Sequence, residues 1–229
     1  MTVSLTMYDN PRPLRNVPDN GLPVSPMYPV HLSDGPGAQP QAFAHVEREL
    51  PHGGIPAYRA DRKKRVRSFL LWADEGRARP LARLVTQSVE GHRSTYQVLD
   101  AYGQVIATIT QRKAFRGGGL RVRWTVSQTG GPVAVGYKGR LFWWAFCWLW
   151  SPLLPFALIG AVLENGDLPR APRRVRWRAD GRMVMEHKPS SNAVLLHAPG
   201  LDPRVGAALA ALLASYRGWY RTSWDDHKE

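Results

Sequence analysis

The chain has 229 residues, 44% of them hydrophobic, a formal net charge of +13 and a single cysteine. This length and apolar content are sufficient for one domain with a real core. The positive charge predicts an anionic partner, which leaves nucleic acid, an acidic lipid surface or an acidic protein. One cysteine excludes an internal disulfide and any zinc site built from several cysteines.

The first 58 residues are rich in proline and glycine and show no hydrophobic period. This composition predicts a disordered tail over residues 1–58, either fully solvated or serving as an arm that contacts a protein partner. The chain does not begin with a basic stretch followed by an apolar run, so we expect no secretory signal and a cytoplasmic location. A basic run over residues 59–67 leads into the first predicted strand.

Two stretches alternate apolar and basic residues with the period of two that is typical of a half-buried strand. The apolar positions are Leu120, Val122, Trp124 and Val126 in the first stretch, and Val175 and Trp177 in the second. The basic positions are Arg121, Arg123, Arg174, Arg176 and Arg178. Each strand is therefore predicted to have one buried face and one basic face, and neighbouring pairing would join the arginines into one cationic surface.

Further strands are predicted at residues 68–73, 81–87, 96–100, 105–110, 132–138, 183–187 and 193–197. Turn residues separate them, and Asp180-Gly181 is the clearest signal for a two-residue hairpin. Successive hairpins predict an antiparallel meander. Because open sheet edges aggregate, a meander of this length is expected to curl or close.

The last predicted element is a helix over residues 203–217. Asp202 is suited to the N-cap and Pro203 to the first helical position. No charged residue lies between Arg204 and Arg217, and both faces are apolar. Such a helix is expected to be buried on every side, as in a barrel lumen, with a helix–helix interface or a short membrane segment as alternatives. Residues 218–229 are predicted to form a tail outside the domain at 59–217.

The hairpin over residues 96–103, Tyr-Gln-Val-Leu-Asp-Ala-Tyr-Gly, continues as Gln-Val-Ile-Ala, and related hairpins precede the hydrophobic C-terminal helix. Over residues 66–217 this pattern resembles the tubby C-terminal-like superfamily, which includes LURP-one-related proteins, phospholipid scramblases and bacterial members. The resemblance implies a closed barrel threaded by its C-terminal helix, and association with lipid or membrane. The cysteine cluster and acidic calcium segment of scramblases are absent, so scramblase activity is not implied.

Residues 141–163 contain no charge and are long enough to span a bilayer. Pro152 and Pro155 interrupt this stretch, and strands that must pair lie on both sides of it. Its tryptophans, a residue type that prefers the headgroup region, are Trp143, Trp144, Trp148 and Trp150. We therefore predict a helical insertion that lies as a wedge in one leaflet; packing as core or protein interface, and a true span, are the alternatives.

Basic residues flank the apolar stretch, where they would meet anionic headgroups. They are Lys138 and Arg140 before it, and Arg170, Arg173 and Arg174 after it. Together with the strand arginines Arg121, Arg123, Arg176 and Arg178, these residues are the predicted site for lipid or another anion.

No catalytic, nucleotide or metal-binding motif is present, so we expect no enzyme activity, metal or cofactor. The combined prediction is a mainly β protein, a meander or closed barrel around a hydrophobic C-terminal helix, that binds peripherally to an anionic membrane in the cytoplasm. An assembly module that uses the apolar stretch as an interface is one alternative. Nucleic-acid binding is another, although the period of two places Trp124 and Trp177 opposite the arginines.

Overall fold

The computed structural model describes residues 2–8, 10–11, 25–35, 37–114, 119, 121–138, 174–216 and 223–226. These residues form twelve antiparallel strands: β1 Val3–Met7, β2 Tyr28–Asp34, β3 Gln41–Arg48, β4 Ser68–Trp72, β5 Pro80–Glu90, β6 Arg93–Asp100, β7 Val105–Arg112, β8 Arg123–Gln128, β9 Val133–Lys138, β10 Val175–Ala179, β11 Arg182–Lys188 and β12 Ala193–Leu196. The helices are α1 Gly54–Lys63 and α2 Pro203–Ala214, followed by a 3-10 turn at Trp224–Asp226.

Each strand pairs with its neighbour in sequence, and β1 pairs with both β2 and β12, which closes the barrel. The predicted mainly β class and the closed meander are confirmed. Turn chemistry accounts for the hairpins. At the two-residue turn between β10 and β11, Asp180 and Gly181 have φ values of +50° and +78°. A type I′ turn requires positive φ at both positions, and aspartate followed by glycine is the sequence that adopts it most readily.

The prediction of a disordered tail over residues 1–58 is wrong for the described residues of that range, because β1, β2 and β3 lie within it. Leu5, Tyr28 and Val46 are fully buried in the core. These strands are only five to eight residues long, and the prolines between them hide the period of two. Their main partners are remote, since β1 pairs with β12 at the other end of the chain. Local composition therefore gave the wrong expectation.

Helix α2 runs through the barrel and packs against β1, β5, β7 and β12. Every residue from Val205 to Leu212 is buried, which confirms the expectation from its uncharged faces. The side chain of Asp202 accepts a hydrogen bond from the backbone N–H of Arg204 and caps the helix. At Gly206 an added Cβ would lie 2.4 Å from Cδ1 of Leu5, so the close approach of helix and wall requires glycine.

The prediction of a C-terminal tail over residues 218–229 is wrong for the described residues 223–226. The side chain of Trp224 is 1% exposed, and its ring centroid lies 5.0 Å from that of Tyr28 and 4.9 Å from that of Phe69. Its indole nitrogen donates a hydrogen bond to the carbonyl of Ala211 at 2.9 Å. One tryptophan among polar residues has no period, so the sequence pattern does not distinguish this anchor from a tail.

Candidate anion-binding surface

One end of the barrel is defined by the hairpin between β9 and β10, and we call it the insertion end. Lys138 at the end of β9 pairs directly with Val175 at the start of β10. The chain therefore leaves the barrel wall after residue 138 and returns to it at the adjacent position. The apolar stretch 141–163, with Trp143, Trp144, Trp148 and Trp150, lies outside the described residues, as do Arg140, Arg170 and Arg173.

Four arginines lie at one level around the outer wall at the insertion end. Arg93 on β6 is opposite Arg112 on β7, and Arg112 is opposite Arg123 on β8. Tyr137 on β9 follows, and then Arg176 on β10. We call Arg93, Arg112, Arg123 and Arg176 the arginine belt. Because residues directly opposite in a ladder project from the same face of the sheet, the belt spans five strands, with Tyr137 between Arg123 and Arg176.

The belt faces outward because its chain neighbours face inward. Trp124 and Trp177 are 2% and 0% exposed. The alternation predicted from the sequence therefore holds in both strands, with the tryptophans in the core and the arginines on the wall. A platform on which these two indoles stack with bases is consequently excluded on this surface.

The first three arginines of the belt form an unfavourable arrangement for a folded protein by itself. Adjacent strands are about 4.8 Å apart, and like charges directly opposite each other destabilise a sheet. Within the described part of the chain, no carboxylate forms an ion pair with Arg93, Arg112 or Arg123. The Nε atom of Arg123 is also buried and has no hydrogen-bond acceptor among these residues. An anion held between these guanidinium groups would relieve both deficits.

The β10 side of the belt is partly neutralised. The Nε of Arg176 lies 2.8 Å from a carboxylate oxygen of Glu186 on β11, and Arg174 lies 3.7 Å from the same oxygen. Burial raises the pKa of Glu186, but Arg176 and Arg174 together lower it further, so that the net shift is downward. This carboxylate therefore remains ionised. At the other end of the belt Glu90 on β5 is opposite Arg93, so the free positive charge is concentrated on Arg112 and Arg123.

Arg121 also contributes to the surface. Its guanidinium carbon lies 4.7 Å from the ring centroid of Tyr137, a cation–π contact that holds it beside Arg123. The phenol ring is 38% exposed. Arg121, Arg123, Arg174 and Arg176 are thus brought together on one wall.

Two residues of the predicted site lie elsewhere. Lys138 belongs to the inward row with Val175 and His187, since these residues are opposite each other across β9, β10 and β11. Arg178 is on the outer face but two residues further from the insertion end, opposite Val135. The prediction grouped basic residues at the end of a strand with basic residues on its outer face. The pleat separates the two groups, because successive side chains of a strand point to opposite faces.

Arg93 and Arg112 were missed by the sequence analysis. Each is the terminal residue of its strand, and neither belongs to an alternating basic run. Their alignment with Arg123 depends on the lengths of two hairpins. The signal available was a basic residue two or three positions beyond the same end of the strands predicted at 96–100 and 105–110.

The two ends of the barrel differ in charge. The insertion end adds further basic residues to the belt: Lys64, Arg65, Lys113 and Lys188. At the opposite end, acidic residues occupy the turns and the cap of α2: Asp34, Asp74, Glu75, Asp100, Asp180 and Asp202. Arginines at this same end, such as Arg79 and Arg182, offset the negative charge of these carboxylates. The positive potential therefore concentrates at the end from which residues 139–174 emerge.

His187 lies buried beneath this end and predicts a pH dependence of stability. Burial lowers its pKa to about 4; a hydrogen bond with Asn192 opposes this shift and Lys138 adds to it. A histidine in the unfolded chain titrates near 6.5. The neutral ring therefore contributes stability that is fully present above pH 6.5 and is lost as the pH falls towards 4, by up to about 3 kcal/mol.

Urea unfolding between pH 7 and 4 measures this effect. His187→Gln is expected to remove that part of the pH dependence, whereas His52→Gln, on an exposed histidine, should not. Equal slopes in the wild type and His187→Gln would show that the ring does not titrate as its burial implies.

Comparison of the chain with protein-family models, with curated proteins and with solved structures finds no match. Membership of the tubby-like superfamily therefore stays a prediction from the residues quoted above. Across the described ranges, no helix combines the length and the apolar character needed to cross a bilayer. In the same ranges, no group of three or more potential ligands is placed to hold a metal ion.

Proposed function

We propose that this chain is a non-enzymatic binding domain that associates peripherally with an anionic membrane surface through its insertion end. The observation that carries the proposal is the row Arg93–Arg112–Arg123, in which successive arginines are directly opposite each other and no ion pair with a carboxylate forms in the described chain, although Glu90 on β5 is the cross-strand neighbour of Arg93. This row reduces the stability of the barrel alone and becomes favourable when anions lie against it.

The position of residues 139–174 supports the same proposal. Their ends are held at Lys138 and Val175, which pair in the wall beside the belt. Within this segment, residues 141–163 are uncharged and rich in tryptophan, a composition suited to the headgroup region. Basic side chains around an apolar segment provide the two contributions, electrostatic and hydrophobic, that peripheral membrane binding requires. A single span would separate β9 from β10, so we favour a segment that enters one leaflet.

Nucleic-acid binding has less support. The belt offers charge, but among the described residues Tyr137 alone presents an aromatic ring beside it, because Trp124 and Trp177 are in the core. Single-strand binding usually combines a basic groove with several stacking rings. We therefore treat binding to oligonucleotides as an outcome of the test below.

The test is binding to vesicles of phosphatidylcholine with and without phosphatidylglycerol. Each basic residue at an anionic surface contributes about 1 kcal/mol. Arg112→Gln with Arg123→Gln should therefore weaken binding by about 2 kcal/mol, or roughly thirtyfold. Removal of opposed like charges should leave the thermal stability unchanged or raise it slightly. Co-sedimentation at low salt and a thermal melt measure the two effects.

The matched control is Arg79→Gln with Arg182→Gln, which removes the same charge from exposed positions at the opposite end. It should change vesicle affinity by less than twofold. Equal losses in both double variants would show that net charge alone determines binding and that the belt is not a site. Tighter binding to random oligonucleotides than to acidic vesicles would favour the nucleic-acid alternative.

The paired hairpin also permits a clean test of the apolar segment. Because Lys138 and Val175 are already opposite each other, an Asn-Gly turn can replace residues 139–174 without a change of register. This variant also lacks Arg140, Arg170, Arg173 and Arg174, so it should keep a weakened salt-sensitive binding through the belt and lose the binding that survives a high-salt wash. Unchanged salt-resistant binding would contradict the assigned role of the segment.

A further inference from the structure

A second basic cluster lies inside the barrel, where α2 ends. Asp225 of the C-terminal 3-10 turn is fully buried, and its Oδ2 lies 3.0 Å from the Nε of Arg62 and 3.9 Å from the Nε of Arg67. The hydroxyl of Tyr58 on α1 donates to the same oxygen at 3.2 Å. The side chain of Arg67 is itself only 5% exposed. These groups converge from α1, the start of β4 and the C-terminal turn.

The helix end and the C-terminal turn hold the two arginines in place. Arg67 donates through Nε to the hydroxyl of Ser215 at 2.7 Å and packs its guanidinium 4.4 Å from the ring centroid of Tyr216. Arg62 donates to the carbonyl of Ser215 and to the hydroxyl of Ser223. The arginines are therefore preorganised by contacts that do not depend on the carboxylate of Asp225.

Asp225 leaves polar atoms of this cluster without hydrogen-bond partners. Its Oδ1 atom is buried without a hydrogen-bond partner in the described chain, and so is the Nη1 atom of Arg67. Burial raises the pKa of Asp225, against the lowering effect of Arg62 and Arg67. A carboxylate attached to its own backbone thus stops 3.9 Å from Arg67, whereas guanidinium and carboxylate groups usually meet closer and with two hydrogen bonds. An untethered anion has no such restraint.

We infer that Tyr58, Arg62 and Arg67 form a binding site for a compact oxyanion, which the carboxylate of Asp225 occupies as an internal ligand. The ligand class is a small carboxylate, such as formate or acetate, whose planar group matches the one it replaces. The C-terminal turn is then anchored twice: the indole of Trp224 packs in the core, and the carboxylate of Asp225 occupies the anion site. This site is independent of the arginine belt and of membrane binding.

The test is rescue of the full chain by an added anion. Asp225→Ala leaves the buried Arg67 and the largely buried Arg62 without this carboxylate and should lower the melting temperature by about 10 °C in chloride. Sodium formate at the same ionic strength should restore at least half of that loss, because formate supplies the missing group. The wild type, in which Asp225 fills the site, should respond equally to formate and chloride.

Asp202→Ala is the matched control. It removes another aspartate that pairs with an arginine, at the opposite end of α2, where Asp202 and Arg204 lie 2.7 Å apart and are partly exposed. Formate should give this variant no advantage over chloride. If Asp225→Ala does not fold in chloride, Asp225→Ser provides the same comparison. Absence of formate-selective recovery in both Asp225 variants overturns the inference, and equal recovery in Asp202→Ala shows a general salt effect and overturns it too.

Discussion

Ala208→Lys or Ala210→Lys in α2 should strongly destabilise the barrel. Ala208 and Ala210 are both fully buried. They are separated by about 200° around the helix axis, so they face different parts of the wall. A surface helix tolerates lysine on at least one face, but a helix inside a barrel has none. Each variant is expected to lose more than 4 kcal/mol, because an ammonium without a partner would be buried.

Circular dichroism during urea unfolding measures this loss, and Ala60→Lys on the exposed face of α1 is the control. Ala60 is solvent-exposed, so its replacement should change stability by less than about 0.5 kcal/mol. If either the 208 or the 210 variant retained wild-type stability, that face of α2 would be open to solvent and the helix would not be enclosed.

This helix shows which parts of the fold can be predicted from the sequence. The segment from Val205 to Leu212 has small residues where a surface helix has charges, and no neighbouring element is needed to recognise that pattern. The hairpins were equally accessible, since turns such as Asp180-Gly181 fix a local geometry. The local features of α2 and of the hairpin turns were therefore predicted correctly, whereas α1 at Gly54–Lys63, which is equally local, was not predicted.

Features that depend on remote partners were not predicted correctly. β1 is a short strand whose place in the barrel is determined by β12, almost the whole chain away. The position of the arginine belt likewise depends on how separate strands pair. Arg93, Arg112 and Arg123 are at one level because the hairpins that join their strands have particular lengths, and a shift of one residue would turn any of them to the other face. Sequence alternation determines the face of each residue but not its level.

The C-terminal turn is the other element that local patterns missed. Substitution of its buried tryptophan has the second large expected effect on stability. Trp224→Ala should lower the free energy of unfolding by about 3–5 kcal/mol, the usual cost of removing a buried tryptophan. The indole packs between Tyr28 and Phe69 and donates to the carbonyl of Ala211, so its loss leaves a cavity shared by β2, β4 and α2. Urea unfolding, monitored by far-UV circular dichroism, measures the change.

Tyr102→Ala is the control for Trp224→Ala, because Tyr102 is 90% exposed in the turn between β6 and β7. Its removal should cost less than about 0.5 kcal/mol. Similar stabilities for the two variants would mean that residues 223–226 do not anchor the barrel in solution. A loss specific to Trp224→Ala would instead place the C-terminal turn in the same cooperative unit as β2 and β4. The distant β1–β12 pair would then be supported from inside by α2, whose C-terminal end this tryptophan holds.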